Sequence, residues 1–330
     1  MPPGIGFINR TITIIVRMAF GLYINGKNSK IPILDYYAYK LLGVGQINKI
    51  VLYTDAGCDL DLEVLDAYGI KQFYPTTIIN GKAYQGRLNL SPPEFYKMLE
   101  TGVVPTTSGV NMGTIIAEFE PILQDPQNEI IYIAFSGELS STFQSAYMAR
   151  DNLDPERVTV IDSRSASVGQ GLIVLRAGEM IAAGCSKEEI ITEVNDFIRH
   201  IEHVFIVGNF EMLKRGGRVN PAVAVIGDLL NIKLIMQMTD GRITPLEKAH
   251  GLKKAKKRLL DIMEQRGGDI SNQLIGICYS QDLEGALEIK HMIEQRFGVS
   301  KFVVSEIGAM IGAHVGAGTF SVFFRNNGKD

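Results

Sequence analysis

The sequence predicts an α/β protein of two domains. The first is built on a parallel sheet with helices on both faces, and the second is a smaller α/β domain with a mixed sheet. Three observations carry this expectation. Short apolar runs such as 130–135 (IIYIAF) alternate with segments whose apolar residues recur at helical spacing. A chain of 330 residues, 46% of them hydrophobic, is long enough for about two cores. Further on, 274–306 reads as a β-α-β unit, while Asp240-Gly241 reads as a hairpin turn, so parallel and antiparallel pairing meet in the second domain.

Residues 1–48 differ in texture from the rest and read as an atypical extension, translated from an upstream start. The apolar stretch 11–24 carries Arg17 and is too short to span a bilayer. It has no clear small-residue cleavage site ahead of Asn25-Gly26-Lys27. A first domain is expected over 49–202. Strand 49–54 ends in Asp55-Ala56-Gly57-Cys58, a helix follows over 62–68, and strands 76–79 and 82–84 flank Asn80-Gly81. Ser91-Pro92-Pro93-Glu94 carries the signal of a capping box. Thr106-Thr107-Ser108 reads as a hydroxyl-rich approach to a helix from Met112. Strand 130–135 then turns at Ser136-Gly137 into a helix from Leu139, with Ser140 a suitable N-cap and Phe143, Ala146 and Tyr147 on one face.

Strand 158–162 leads through Ser163 to a buried helix over 171–183, and Ser186 with Glu189 opens another by capping box. A second domain is expected over 203–330. It holds strand 204–207, the basic turn Lys214-Arg215-Gly216-Gly217-Arg218, the apolar run 223–235 and a hairpin into 242–246. Helix 250–263 displays Lys253, Lys254, Lys256, Lys257 and Arg258 either as a solvated face or as one that transiently touches an anionic membrane surface or a partner, and the tail 307–320 is a glycine-rich loop around His314.

A net charge of −3, with no RNA-reading motif, argues against a nucleic-acid partner. Cys58, Cys185 and Cys278 lie far apart without CxxC or metal-ligand spacing, which fits a reducing cytoplasm and no metal cofactor. There is no P-loop, and Gly316-Ala317-Gly318 does not make a dinucleotide fingerprint.

In parallel sheets ligands sit beyond the carboxyl ends of the strands. Thr54-Asp55, Thr106-Thr107-Ser108, Ser136-Gly137 and Asp162-Ser163 should therefore meet. The hydroxyls of Ser136, Ser140, Ser141 and Thr142 either cap a helix or hold a small monoanion such as a carboxylate at its N-terminus. The basic turn around Arg215 and Arg218 either compensates a helix dipole or faces an acidic partner or phosphate.

Tyr53-Thr54-Asp55, Pro105-Thr106-Thr107-Ser108, Leu139-Ser140-Ser141-Thr142-Phe143-Gln144-Ser145-Ala146 and Val160-Ile161-Asp162-Ser163-Arg164-Ser165-Ala166-Ser167 resemble, in order, successive motifs of the DegV family of bacterial fatty-acid-binding proteins. The Leu213-to-Arg218 segment and Gly312-Ala313-His314-Val315-Gly316 continue the series, so the resemblance covers roughly 49–324. It implies a Rossmann-like first domain, a second α/β domain and a ligand tunnel between them. A long-chain fatty acid would be the bound ligand, its carboxylate met by Thr106, Thr107, Ser108, Ser136, Ser140, Ser141 and His314. The family implies a non-catalytic acyl carrier in phospholipid synthesis. The resemblance also implies a partner fatty acid kinase that would phosphorylate the bound carboxylate, with Arg215 and Arg218 the candidates for kinase docking or headgroup charge. Several positions depart from the family pattern. Gly109-Val110 stand where Gln-Pro is usual, Ser141 where glycine is common, Ala56 in place of serine and Ala317 in place of proline.

The alternative is a serine acyl hydrolase or acyltransferase, with Ser140 as nucleophile, His314 as base and Asp55 or Asp162 orienting it. The G-x-S-x-G elbow is missing around Ser140.

Overall fold

The computed structural model describes residues 49–219 and 231–328. The readings for 1–48, and for most of the apolar run 223–235, lie outside the described residues.

Four strands form the expected parallel sheet. β1 (Ile50–Asp55) lies between β2 (Lys71–Phe73) and β6 (Glu129–Ala134), and β7 (Val158–Asp162) pairs with β6, giving the order β2-β1-β6-β7. Every pair is parallel, with Tyr53 opposite Lys71 and Tyr132 opposite Val160. α1 (Leu62–Ala67) returns the chain from β1 to β2. A separate antiparallel sheet of three short strands, β3 (Thr76–Ile79), β4 (Lys82–Tyr84) and β5 (Thr106–Ser108), has the order β4-β3-β5. Thr106-Thr107-Ser108, read from sequence as an approach to a helix, is thus a strand paired with Thr76–Ile78. α2 (Pro92–Leu99) starts with the expected capping box of Ser91 and Glu94.

α3 (Met112–Leu123) and α4 (Thr142–Asn152) cover one face of the parallel sheet, burying Ile115, Phe119 and Ala146 against Tyr53, Ile130 and Tyr132. α5 (Ser167–Ala182) covers the other face and is almost wholly buried over its first nine residues. The reason is that a second sheet packs on its far side. A Cβ at Gly169 would meet His203 and Phe323, and one at Gly171 would meet the Cys58 carbonyl and Leu60. Small residues at these positions let one helix serve two sheets. α6 (Lys187–His200) packs outside α5 and opens with the Ser186–Glu189 capping box.

The second sheet has six strands: β8 (Ile201–Ile206), β9 (Ile232–Thr239), β10 (Arg242–His250), β11 (Leu274–Tyr279), β12 (Lys301–Glu306) and β13 (Phe320–Arg325). Their order is β10-β9-β8-β13-β11-β12, mixed as expected, with only β11 and β12 parallel. The expected boundary at 202/203 falls inside β8. α8 (Leu252–Arg266) and α9 (Leu283–Phe297) bury Leu259, Ile262, Met263, Ile289 and Ile293 on its outer face, after the short α7 (Phe210–Arg215). Lys256 is not part of the solvated face. It is buried, donating to the Gly285 carbonyl and Glu288, with its ammonium over Phe320. The tail around His314 is not a loop but α10 (Ala309–Val315), because Gly312 lets it lie directly on Phe95 and Tyr96.

Candidate functional site

The expected polar turns do meet at the carboxyl ends of the parallel strands. Asp55 is fully buried and accepts from the Phe135 and Gly57 amides and the Tyr132 hydroxyl. Asp162 accepts from the Gly137 and Arg164 amides. These carboxylates shape the turns: burial pushes the Asp55 carboxyl up, and its hydrogen bonds oppose that.

Beside these turns lies a cavity of about 260 Å³. Its apolar wall is a contiguous cluster of Phe135, Leu139 and Met310, extended by Ala166, Ile243 and Ile311. Its polar lining comes from Thr107 and Ser108 on β5, Ser140 and Ser141 before α4, Arg218 after α7, and His314 on α10. Four chain segments therefore supply the polar lining.

The centre of the polar lining is a hydrogen bond between Thr107 Oγ1 and His314 Nε2, 2.8 Å long. Burial, helped by the nearby Arg218 charge, lowers the His314 pKa to about 4, so the imidazole is neutral at pH 7. Its Nδ1 is buried without a hydrogen-bond partner. The Arg218 guanidinium is half-buried and is held by the Leu139 carbonyl at 3.0 Å and the Gly216 carbonyl at 2.5 Å. It brings fixed positive charge beside a neutral donor–acceptor pair. A second cavity of about 180 Å³, lined by Thr106, Met212, Arg215 and Gly216 among others, shares Thr107, Arg218 and His314 with the first.

The sequence-read residues thus divide. Thr107, Ser108, Ser140, Ser141 and His314 line the first cavity; Thr106 and Arg215 line only the second; Arg218 lines both. Ser136 lines neither. It is fully buried, its hydroxyl donating to the Gly241 carbonyl at 2.7 Å and accepting from the Glu138 amide. Ser140 is not the N-cap. α4 starts at Thr142, and the Ser140 hydroxyl lies one residue farther out, accepting from the Thr142 amide at 3.3 Å. Sequence reading missed Gly109, Leu139, Ile243, Met310 and Gly216. Gly109 carries a visible signal only once its neighbours are known: a Cβ there would stand 2.7 Å from Ser141 Oγ.

The hydrolase arrangement is not assembled. His314 Nε2 faces Thr107 rather than Ser140, and its Nδ1 has no carboxylate partner. Asp55 and Asp162 bind backbone amides elsewhere. Among the described residues no cluster of His, Cys, Asp and Glu could hold a metal ion, and no helix is long and apolar enough to cross a membrane.

The chain matches the family model described as "Uncharacterised protein, DegV family" over residues 49–327. A DegV domain-containing protein of Caldanaerobacter subterraneus subsp. tengcongensis is 34% identical over 278 residues, covering 84% of this chain and 99% of that protein. One from Clostridium perfringens is 33% identical over 291 residues, covering 86% and 100%. Among solved structures, a DegV family protein from Thermus thermophilus described for its fatty acid binding superposes with a TM-score of 0.77 at 29% identity, covering 84% of this chain and 99% of that one. DegV from Bacillus subtilis, described as a fatty acid binding protein, gives a TM-score of 0.74 at 28% identity, covering 84% and 98%. From residue 49 to residue 327, this chain belongs to the DegV family.

Proposed function

We propose that this protein binds a long-chain fatty acid, its tail against the wall of Phe135, Leu139, Ile243 and Met310 and its carboxylate at Thr107, Ser108, Ser140, Ser141 and His314. The observation that carries this reading is the Thr107–His314 hydrogen bond in the same cavity as the apolar wall of Phe135, Leu139 and Met310. The two solved relatives described as fatty acid binding support it.

Magnitudes divide the labour. Each buried methylene contributes about 0.8 kcal/mol, so a chain of some fourteen gives roughly 11 kcal/mol before association costs. A hydrogen bond nets about 1 kcal/mol, and one to a charged group about 1.5–3. Affinity comes from the tail, and the polar groups fix where the carboxylate sits.

The second cavity supports a finer reading. A carboxylate at Thr107 and His314 is reachable from the side where Arg215 and Arg218 stand, so a cytoplasmic partner kinase can approach it there. The two arginines then balance the charge of the transferred phosphoryl group or dock the partner. In this reading the protein is a carrier and the chemistry belongs to the kinase.

Denaturing extraction of the purified protein followed by lipid mass spectrometry tests the binding. A stoichiometric fatty acid is expected. A clean extract, with no thermal shift on adding oleate or palmitate, would overturn it. Incubating the loaded protein with a fatty acid kinase and ATP should then yield acyl phosphate.

A further inference from the structure

Asp59 lies outside both cavities, yet it ties the ligand site to the parallel sheet. It follows the single 3-10 turn after β1, in the left-handed region at φ 49°, and is buried. Its two carboxylate oxygens serve two different helices. Oδ1 accepts from the Gly308 amide at 2.9 Å, at the start of α10, and Oδ2 accepts from the Ser167 hydroxyl at 2.6 Å, at the start of α5. Its own carbonyl accepts from the Ser305 hydroxyl at 2.5 Å, at the end of β12. The Arg87 guanidinium donates to Ser305 Oγ and to Asp61, and its charge favours the ionised Asp59. The contact has no slack, since a Cβ on Gly308 would stand 3.1 Å from Oδ1.

α10 is a seven-residue helix that carries Met310, Ile311 and His314 into the first cavity. Its far end is held by the Asn209 amide, which donates to the Val315 carbonyl at 3.0 Å. Its near end is held by the carboxylate of Asp59. We propose that Asp59 is a positioning residue for the ligand headgroup: by gripping the backbone at Gly308 it sets the height and rotation of α10, and so the place of His314 opposite Thr107. A carboxylate suits the task because it can accept from two helix starts at once, and such charge-assisted bonds are shorter and stronger than neutral ones.

The test compares Asp59→Ala with Asp59→Asn. An asparagine can still accept from Gly308 through its carbonyl, and its amide group can donate to Ser167. The first readout needs no ligand: long-range ¹H–¹⁵N spectra of the His314 imidazole. Wild type should show one fixed neutral tautomer, Asp59→Ala an averaged pair, and Asp59→Asn the wild-type pattern. The second readout rests on the fatty-acid reading and uses oleate and oleyl alcohol as probes. Asp59→Ala should weaken oleate about tenfold and oleyl alcohol little, the loss expected of one hydrogen bond to a charged group. Should Asp59→Ala not fold, Asp59→Gly removes the same carboxylate at a φ of 49° that glycine adopts without strain. A folded Asp59→Ala or Asp59→Gly protein with an unchanged His314 spectrum would overturn the proposal. Failure of wild type to bind oleate, with the His314 spectra behaving as expected, would overturn the ligand and leave the positioning role standing.

Discussion

Gly216 lies so close to the ring of His314 that a Cβ built on it would stand 2.2 Å from Nδ1. The backbone at Gly216 is ordinary, with φ at −67°, so the glycine is there for space and not for conformation. The end of α7 and the middle of the polar lining are thereby in direct contact. Gly216→Ala should push the imidazole away from Thr107. The expected result is at least a tenfold loss of oleate affinity with a fall in stability of about 1 kcal/mol, read by calorimetric titration and urea unfolding. Unaltered affinity would show that the Thr107–His314 bond does not set the headgroup.

A second expectation concerns pH. His314 is neutral down to about pH 4, so under the proposed function it would meet a carboxylate as a hydrogen-bonding group and not as a cation. Oleate affinity should be flat between pH 6 and 8. An affinity that falls with an apparent pKa near 6.5 would mean that the bound state recruits a protonated ring.

Stability should carry a separate acid signature. His203 is fully buried against Ser165 Oγ, and burial lowers its pKa to about 4. Between roughly pH 6.5 and 4 the unfolded chain holds a proton on this group that the folded chain does not. Its contribution is therefore present above pH 6.5 and is lost as pH falls through that window, by up to roughly 3 kcal/mol. Asp59, raised to about 6 chiefly by burial, acts in the opposite sense over part of the same range. The measurement is thus a difference: the urea midpoint of wild type should fall more steeply on acidification than that of His203→Gln. Equal slopes would contradict this.

Gly109 and Ser141 form a compensated pair. Both depart from the pattern that the sequence resembles, and the missing Cβ at 109 is what leaves room for the hydroxyl at 141. Gly109→Ala alone should cost about 1–3 kcal/mol, and adding Ser141→Gly should recover part of it, since Thr142 Oγ1 would still stand 2.9 Å from the added Cβ. Thermal melts of the two single variants and the double variant complete the cycle. Strict additivity would refute the coupling.

Ser136 separates fold from function. Its hydroxyl satisfies the buried Gly241 carbonyl at the hairpin turn. Ser136→Ala should cost about 1–3 kcal/mol of stability while leaving oleate affinity within twofold. Selective loss of affinity at constant stability would restore this serine to the headgroup.

The sequence was legible where the determinants are local. Ser91 with Glu94, and Ser186 with Glu189, cap their helices as read, because all partners lie within four residues. Leu274–Tyr279, Leu283–Phe297 and Lys301–Glu306 form the expected β-α-β unit with unchanged bounds. Distant partners were not legible. Thr106–Ser108 is a strand only because Thr76–Ile78 pairs with it. The glycines around His314 lower helix propensity, but Phe95 and Tyr96 supply a surface on which only a helix with glycine at 312 can lie. The hydroxyl of Ser136 was counted toward the ligand because the carbonyl it serves is 105 residues away. Most polar residues that line the first cavity were legible, since hydroxyls gathered at strand ends are visible in one dimension. The glycines that make room for them are defined only by what they touch.

The place of β13 has a consequence for biosynthesis. It is inserted between β8 and β11, antiparallel to both, and Val322, Phe323 and Phe324 on it are buried. While a ribosome is still making the residues before 320, β8 and β11 have no strand to join them. The sheet must therefore stay split, with two open edges, until almost all of the described chain has emerged. α10 directly precedes β13, so His314 reaches Thr107 at that same late stage. The Thr107–His314 pair is thus tied to nearly completed synthesis, and a chain cut short before Phe320 would lack the closed sheet.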